Sequence, residues 1–316
     1  MRLGACPYPG LPERVEVVEV GPRDGLQNEP RAVPAEARAR LVRELAAAGL
    51  GRIEAGAFVA PRWVPQMADA ERLFQELADA GLKAVRLSAL VPNLKGLERA
   101  LASGVREVAV FAAASESFSR RNLNASIGDS LARYRPVVAE ARAQGLRVRG
   151  YVSCIGGCPY EGEVDPARVA AVADALYRMG CEEIALGDTI GTATPGRIRK
   201  VVLACSARLP KEALALHLHD TYGQALANAF AGLMLGIRVF DAAIGGLGGC
   251  PYAPGAAGNL ATEDLLYLLD GLGIHTGVDR DRLRNALLLI RDELGLALRS
   301  RVARTMLADP APPTSA

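Results

Sequence analysis

The stretch Ala215-Leu216-His217-Leu218-His219-Asp220-Thr221 joins an apolar run to two histidines and an aspartate. A short apolar run is typical of a buried β-strand, and the side chains of a strand alternate between its two faces. His217 and His219 would therefore point the same way, about 7 Å apart, which lets two imidazoles bind one metal ion. The alternative is a pair of hydrogen-bonded core histidines. Two of the only three histidines of the chain lie here, at a strand end beside Asp220, and this favours the metal.

The same order of elements recurs on both sides of this stretch: a short apolar run, a polar or glycine-rich turn, and an alanine- and leucine-rich amphipathic segment. Strands are predicted at residues 15–20, 52–55, 84–87, 107–112, 147–152, 183–186, 214–218 and 239–244. Helices are predicted to begin near Pro34, Ala68, Leu94, Asp129, Pro166, Pro195, Gln224 and Thr262. Short apolar strands that alternate with helices indicate a parallel sheet covered by helices.

Roughly eight such units favour an α/β fold of the (β/α)8 TIM-barrel type over an open doubly wound sheet. The first turn, Gly21-Pro22-Arg23-Asp24-Gly25, also lacks the glycine pattern of dinucleotide-binding sheets. We expect a catalytic barrel over residues 13–277 and a C-terminal helical extension over residues 278–307, with one helix from Arg280 to about Met306. Residues 308–316, rich in Pro, Ser and Ala, are expected to be a disordered tail.

The composition of the chain excludes several classes of protein. The formal net charge of its 316 residues is only +2, and no basic run suggests a nucleic-acid partner. No apolar stretch is long enough to span a membrane, and the first residues do not resemble a signal or transit peptide, so we expect a cytoplasmic protein. The six cysteines are scattered, which is typical of reduced thiols, and Cys154-x-x-x-Cys158 lacks the second ligand pair of a zinc site.

Polar residues gather where the predicted strands end, which is the face of a TIM barrel that carries active sites. Asp24, His217, His219 and Asn259 would offer oxygen and nitrogen ligands without a thiolate, a set that suits Mg²⁺ or Mn²⁺. Taken alone, Asp24 could equally cap its own turn, and Asn259 could be the N-cap of the last barrel helix. Their common position on one barrel face favours the metal site.

Three further residues at these strand ends are candidates for catalysis. Arg23 could stabilise substrate oxygens beside the metal, or form a surface salt bridge to Glu19 or Glu29. Glu54 lies in an apolar strand end, where burial is costly without a partner, and Arg23 is the natural partner. Cys250 lies among glycines whose N–H groups could stabilise a thiolate, which makes it a candidate acid or base.

At these residues the sequence resembles the 3-hydroxy-3-methylglutaryl-CoA lyases over about residues 13–280. The first signature of that family resembles residues 18–29, Val-Glu-Val-Gly-Pro-Arg-Asp-Gly-Leu-Gln-Asn-Glu. Further similar segments are residues 63–67, 150–154, 187–191, 217–224, 248–253 and 258–264. The resemblance implies a metal-dependent barrel enzyme that cleaves 3-hydroxy-3-methylglutaryl-CoA into acetyl-CoA and acetoacetate, a reaction of leucine catabolism and ketone-body formation.

The resemblance also implies roles for individual residues. Asp24, His217, His219 and Asn259 would be the metal ligands. Arg23 would neutralise substrate oxygen charge, Glu54 would orient Arg23, and Cys250 would take part in proton transfer. The polar residues lining the site would be Gln27, Asn122, Asp188 and Thr189, with Asp188 counted among the catalytic residues. The partners expected are an acyl-CoA substrate and a second copy of the chain in a homodimer.

Two positions depart from the family pattern. Ala57 and Ala185 stand where the family commonly has serine, so two hydroxyl groups near the expected site are missing. The loss leaves the predicted metal ligands and proton-transfer residue intact, and makes a lyase for a longer-branched 3-hydroxy-3-alkylglutaryl-CoA an alternative. A condensing synthase or aldolase is less favoured because Gly249-Cys250-Pro251-Tyr252 resembles the lyases. A non-catalytic acyl-CoA-binding barrel is a third alternative.

Overall fold

Eight parallel strands close into a single barrel in the computed structural model, which describes residues 8–249 and 258–308. Each strand pairs with its neighbours in sequence, and β1 pairs with β8 to close the sheet. The (β/α)8 fold predicted from the sequence is therefore confirmed. The strands are β1 (Glu16–Glu19), β2 (Arg52–Ala57), β3 (Arg86–Leu90), β4 (Glu107–Ala113), β5 (Arg147–Ser153), β6 (Glu183–Asp188), β7 (Leu214–Leu218) and β8 (Val239–Ala242).

Helices follow the strands and cover the outside of the barrel. All eight predicted helix starts lie within two residues of an observed one. In the described part of the chain, no helix has the length and apolar character needed to cross a membrane. The helices are α1 (Ala35–Ala47), α2 (Ala70–Asp79), α3 (Leu94–Ala102), α4 (Glu116–Leu123), α5 (Ile127–Ala143), α6 (Pro166–Met179), α7 (Pro195–Ser206), α8 (Ala225–Met234), α9 (Thr262–Gly271), α10 (Leu283–Leu288) and α11 (Arg301–Met306).

The ends of the observed strands differ from the predicted ones by up to three residues, and one helix was missed. β3 begins at Arg86, two residues after the predicted start, because the backbone around Val85 closes a turn in which its N–H donates to Leu82. The start of β3 is set by its pairing with β2, where Arg86 lies opposite Arg52. The sequence analysis also missed α4, a short helix that begins after the capping residue Ser115.

The predicted single C-terminal helix from Arg280 to Met306 is wrong. The extension contains α10, a π-helical turn (Leu289–Glu293), an irregular segment and α11. Gly295 ends the first helical stretch with a left-handed φ of 66°, and Ser300 starts the second by accepting a hydrogen bond from the N–H of Ala303. The predicted disordered tail, residues 308–316, lies outside the described residues apart from Ala308.

A network of ion pairs occupies the barrel axis where many TIM barrels have apolar layers. Arg52 donates to both carboxylate oxygens of Glu183 at 3.0 Å, and Arg149 donates to the same carboxylate at 2.7 Å. Arg149 also forms a two-point pair with Asp241, with N–O distances of 2.7 and 3.0 Å. Opposite charges are thus continuous from the amino end of the sheet towards its carboxyl end. We name these four residues the axial ion pairs.

The axial ion pairs should be a major determinant of stability. Arg52→Met would leave Glu183, whose side chain is only 13% exposed, with one partner fewer, and removing one member of a buried pair commonly costs about 3–5 kcal/mol. We therefore expect a clearly lower denaturant midpoint, measured by circular dichroism at pH 7. Arg40→Met is the matched control, because Arg40 pairs with Glu293 on the surface and both side chains are about half exposed. Equal midpoints for the two variants would contradict a stabilising role of the axial pairs.

Candidate active site

Three side chains from two separate elements converge at the carboxyl end of the barrel. His217 is in β7, His219 directly follows that strand, and Asp24 lies in a π-helical turn (Gly21–Gly25) after β1. One ligand atom from each of the three lies within 4.8 Å of the other two. We call these residues the ligand cluster. They form a candidate metal site.

The π-helical turn places Arg23 and Asp24 towards the barrel axis. The N–H groups of Arg23 and Gly25 both donate to the carbonyl of Val20, which tightens the turn. A β-carbon on Gly25 would lie 2.8 Å from that of Leu247, so a residue with a side chain does not fit there without a shift. The turn after β1 therefore packs directly on the loop after β8.

The spacing of the ligand cluster fits a single cation. The two Nε2 atoms of His217 and His219 are 3.2 Å apart, and Asp24 Oδ2 lies 3.9 Å from that of His217. Two atoms that bind one ion at a right angle, each about 2.1 Å from it, lie about 3.0 Å apart. Two imidazole nitrogens and a carboxylate oxygen are also donors that a divalent cation accepts.

The axial ion pairs orient the first of these ligands. Asp241 Oδ2 lies 3.1 Å from Nδ1 of His217, so this nitrogen carries a proton, and Nε2, which faces the cluster, is the ring atom left to bind a cation. Burial would lower the pKa of His217, but the hydrogen bond to Asp241 and the charges of Asp24 and Asp241 raise it. Burial and the neighbouring His217 lower the pKa of His219 to about 4, so this imidazole is neutral at pH 7. Although burial opposes its ionisation, the charges of Arg23 and the histidines lower the pKa of Asp24.

Asn259 lies beside the cluster, as the sequence predicts. Its Nδ2 donates to Asp24 Oδ2 at 2.9 Å and to the carbonyl of Leu247 at 3.1 Å, and its backbone pairs with that of His219. In this orientation the amide holds Asp24 in place. A rotation of the amide by 180° would present its oxygen to the cluster.

Arg23 and Glu54 form the buried pair that the sequence predicts. Arg23 Nη2 donates to Glu54 Oε2 at 2.6 Å, and Nη1 donates to Asp24 Oδ1 at 2.7 Å. Burial would lower the pKa of Arg23, but the charges of Glu54 and Asp24 raise it. The hydroxyl of Tyr151 donates to Glu54 at 3.0 Å and accepts from Arg149 at 2.9 Å, which ties this pair to the axial ion pairs.

A cavity of about 1240 Å³ opens above these groups. Its polar lining includes Arg23, the ligand cluster and three residues predicted to bind substrate: Gln27, Asn122 and Thr189. Four apolar or aromatic residues from β3, β4, α4 and α5 also line it, and we call them the apolar wall: Leu90, Phe111, Phe118 and Tyr134. Arg120, Arg121 and Arg133 of α4 and α5 line the cavity as well, so it offers apolar contact next to positive charge.

The two departures from the family pattern lie near this cavity. Ala57 pairs with Leu90 across the β2–β3 ladder and is fully buried, after a register shift between Glu54 and Gly56. Ala185 packs with Tyr151, Ala109 and Ala215 inside the barrel. Alanine at both positions leaves the neighbouring surface apolar.

Asp188 does not line the cavity, although the sequence analysis counts it among the catalytic residues. Its Oδ2 accepts from the N–H of Ala193 at 3.0 Å, and a β-carbon on Gly156 would lie 2.1 Å from its Oδ1. Burial raises the pKa of Asp188 to about 6. This position indicates that Asp188 shapes the loop after β6. Cys250 lies outside the described residues.

Three residues of the site were not predicted: Tyr151, Arg149 and Asp241. The alternation of β5 offers a signal for the first two, because Arg149 and Tyr151 are two residues apart and share the inner face of the barrel. Asp241 is an acidic residue within an apolar strand, the same signal that identified Glu54.

Comparison with known proteins agrees with the architecture of the site. Residues 14–290 match the model of the HMGL-like family. The 3-hydroxy-3-isohexenylglutaryl-CoA/hydroxy-methylglutaryl-CoA lyase of Pseudomonas aeruginosa is 56% identical over 94% of this chain and 99% of its own. The crystal structure of hydroxymethylglutaryl-CoA lyase from Pseudomonas aeruginosa has a TM-score of 0.92 at 56% identity, and covers 94% of this chain and 99% of the other.

A more distant structure was determined with ligands. The HMG-CoA lyase from Acinetobacter baumannii, in complex with coenzyme A and 3-methylmalate, has a TM-score of 0.87 at 35% identity, and covers 95% of this chain and 98% of the other. The family model and these relatives span nearly the whole barrel, including every predicted metal ligand. The chain belongs to the HMGL-like family, in agreement with the resemblance of its sequence to the 3-hydroxy-3-methylglutaryl-CoA lyases.

Proposed function

We propose that this chain cleaves 3-hydroxy-3-methylglutaryl-CoA into acetyl-CoA and acetoacetate. The observation that carries this proposal is the convergence of Asp24, His217 and His219 beside the Arg23–Glu54 pair in one large cavity. The coenzyme A in the related Acinetobacter baumannii structure supports an acyl-CoA as the substrate.

We propose that Asp24, His217, His219 and Asn259 hold a divalent cation, Mg²⁺ or Mn²⁺. Around the cluster, the carboxylates of Asp24, Glu54 and Asp241 outnumber the guanidinium groups of Arg23 and Arg149, and a divalent cation would compensate this excess. A bound cation would polarise the tertiary hydroxyl of the substrate and lower its pKa.

The residues around the cation would bind the substrate and stabilise the negative charge that develops during the reaction. The reaction removes the hydroxyl proton, breaks a C–C bond and leaves an enolate on the thioester, which must then be protonated. Arg23 would face the negative oxygen, with Glu54 and Tyr151 fixing the plane of its guanidinium. Gln27, Asn122 and Thr189 would bind the substrate, and Asp188 would position Thr189. Proton transfer by Cys250, the homodimer and the cytoplasmic location remain predictions from the sequence.

A longer-branched 3-hydroxy-3-alkylglutaryl-CoA is a second candidate substrate. The apolar wall offers contact to a branch larger than methyl, and the fully buried alanines at positions 57 and 185 pack beside Leu90 and Tyr151, which line the cavity. The name of the Pseudomonas aeruginosa relative includes both the isohexenyl and the methyl compound. A purely binding function is less favoured, because the described residues contain the complete ligand cluster and the Arg23–Glu54 pair.

Loss of one ligand should remove the metal and the activity together. We expect His219→Ala to weaken Mn²⁺ binding to the metal-stripped protein by more than about a hundredfold. Replacing a residue that only hydrogen-bonds to a metal ligand lowers metal affinity by at most about that factor. The measurement is the Mn²⁺ dissociation constant, followed by product formation from 3-hydroxy-3-methylglutaryl-CoA with Mg²⁺ and after chelation. His275→Ala is the control, because His275 is exposed near the other end of the barrel, where its backbone pairs with Arg14. Unchanged Mn²⁺ affinity in His219→Ala would refute the site.

Arg23 should act on the transition state more than on substrate affinity. Arg23→Gln keeps a donor but removes the charge, and loss of one such partner commonly costs about 3 kcal/mol, or about a hundredfold in kcat. Steady-state kinetics with saturating Mg²⁺ would measure this, with the exposed Arg40→Gln as control. A raised KM with unchanged kcat would instead assign Arg23 to ordinary binding.

The apolar wall should decide between acyl branches. We expect the wild-type chain to cleave both 3-hydroxy-3-methylglutaryl-CoA and 3-hydroxy-3-isohexenylglutaryl-CoA. Leu90→Phe would narrow the cavity at the apolar wall. It should lower kcat/KM for the longer-branched substrate about tenfold more than for the methyl compound. Leu203→Phe on the exposed face of α7 is the matched control. No cleavage of the isohexenyl compound by the wild type would rule out this second substrate.

A further inference from the structure

We call the backbone between Gly245 and Gly248 the glycine strip. It is hydrogen-bonded to Asn259, beside the ligand cluster. The carbonyl of Leu247 accepts a hydrogen bond from Asn259 Nδ2 at 3.1 Å, and the same nitrogen donates to Asp24 Oδ2 at 2.9 Å. The side-chain amide of Asn259 therefore links the carbonyl of Leu247 to Asp24, which is a proposed metal ligand.

The conformation of the glycine strip depends on residues without side chains. Gly245, Gly246 and Gly248 have left-handed φ angles of 67°, 67° and 118°. A β-carbon on Gly248 would lie 2.5 Å from Asn259 Nδ2, so the close approach to that amide requires glycine. Glycine also has wide backbone freedom, so a strip with three such residues needs contacts from outside to keep one conformation.

Glu263 in α9 accepts hydrogen bonds from the N–H of Gly245 at 3.0 and 3.1 Å, and the C-terminal extension supplies the contacts to the strip carbonyls. The N–H of Arg299 donates to the carbonyl of Gly245 at 2.8 Å. Its guanidinium Nη1 donates to the carbonyls of Gly246, at 3.4 Å, and Gly248. One arginine thus contacts the carbonyls on both sides of Leu247, the residue whose own carbonyl holds Asn259.

Neighbouring residues fix this part of the extension to the barrel. Ser300 Oγ donates to Asp264 Oδ1 in α9 at 2.7 Å. A β-carbon on Gly245 would lie 2.7 Å from the side chain of Leu298, which shows how closely the extension packs on the strip. Arg299 is therefore held in place independently of its guanidinium contacts.

We propose that Arg299 is a positioning residue for the ligand cluster. By binding carbonyls on either side of Leu247, its charged group keeps the Leu247 carbonyl directed at Asn259, and Asn259 keeps Asp24 in place. Hydrogen bonds from an ionised donor are stronger than neutral ones, and a guanidinium offers donors in a fixed plane, which the single ammonium of lysine does not. The inference rests on the proposed metal site, with Asn259 donating from Nδ2 to Leu247 and Asp24 as observed, and assigns the extension a part in that site. The rival is that Arg299 only fastens the extension to the barrel.

The test compares the full-length variants Arg299→Gln, Arg299→Lys and Arg301→Gln after metal removal. Arg301, which is exposed as Arg299 is, lies two residues further along the same segment and serves as the matched control. The readouts are the Mn²⁺ dissociation constant without substrate, the thermal midpoint, and hydrogen exchange at the amides of residues 245–247. We expect Arg299→Gln to weaken Mn²⁺ binding about tenfold. This is the smallest loss of metal affinity that is typical when a residue supporting a metal ligand is replaced. Exchange at the strip should also become faster, with Arg299→Lys intermediate and Arg301→Gln unchanged.

The outcomes separate the inference from its rival and from the proposed metal site. Wild-type Mn²⁺ affinity in Arg299→Gln with a lower thermal midpoint would overturn the inference and assign Arg299 to fastening alone. If Arg299→Gln does not fold, Arg299→Lys decides, and wild-type Mn²⁺ affinity in that variant overturns the inference. Failure of the wild-type protein to bind Mn²⁺ would refute the metal site, and the inference with it.

Discussion

The two-point ion pair between Arg149 and Asp241 is the interaction on which the site depends. Asp241 uses the same carboxylate to accept from Arg149 and to hold Nδ1 of His217. Buried charges are costly unless paired, and this pair is satisfied on both sides, because Arg149 also contacts Glu183 and Tyr151. The orientation of a candidate metal ligand is thereby built into the interior of the barrel.

Irregular backbone supplies the other half of the site. The π-helical turn after β1 directs Arg23 and Asp24 towards the axis, and the register shift in β2 follows directly after Glu54. Regular strands would continue to alternate at these positions, whereas a bulge changes which side chain faces inwards. Arg23, Asp24 and Glu54 meet within hydrogen-bonding distance because two different departures from regular structure occur side by side.

The sequence predicted the barrel well because its signals are local and repeated eight times. Apolar runs and helix-starting residues depend only on nearby chain, so helix starts such as Thr262 were correct within two residues. The errors occurred at elements whose ends depend on contacts with residues that are distant in the sequence. The start of β3 depends on pairing with Arg52, and the C-terminal extension breaks at Gly295 before it packs on the strip.

The candidate site was predicted in the same uneven way. Residues at strand ends, such as His217 and Asp24, were identifiable because a closed barrel brings all strand ends to one face. Arg149 and Asp241 carry local signals that were missed, and their partners are far away in the sequence, so only the closed sheet shows which charges meet. Asp188 was placed among the catalytic residues because of the resemblance to the lyase family, but its side chain does not line the cavity and accepts a hydrogen bond from the loop after β6.

The position of the apolar wall has a consequence for how such an enzyme can change over evolutionary time. The ligand cluster, the Arg23–Glu54 pair and the axial ion pairs come from β1, β2, β5, β6, β7 and β8 or from the turns after them, whereas the apolar wall comes from β3, β4, α4 and α5. A mutation at Leu90 or Phe111 alters the shape offered to a substrate branch without touching a charged partner. Selection can therefore adjust the acyl group that is accepted while the ligand cluster and the Arg23–Glu54 pair stay constant. One barrel can in this way give rise to a series of lyases that catalyse the same reaction on different acyl groups.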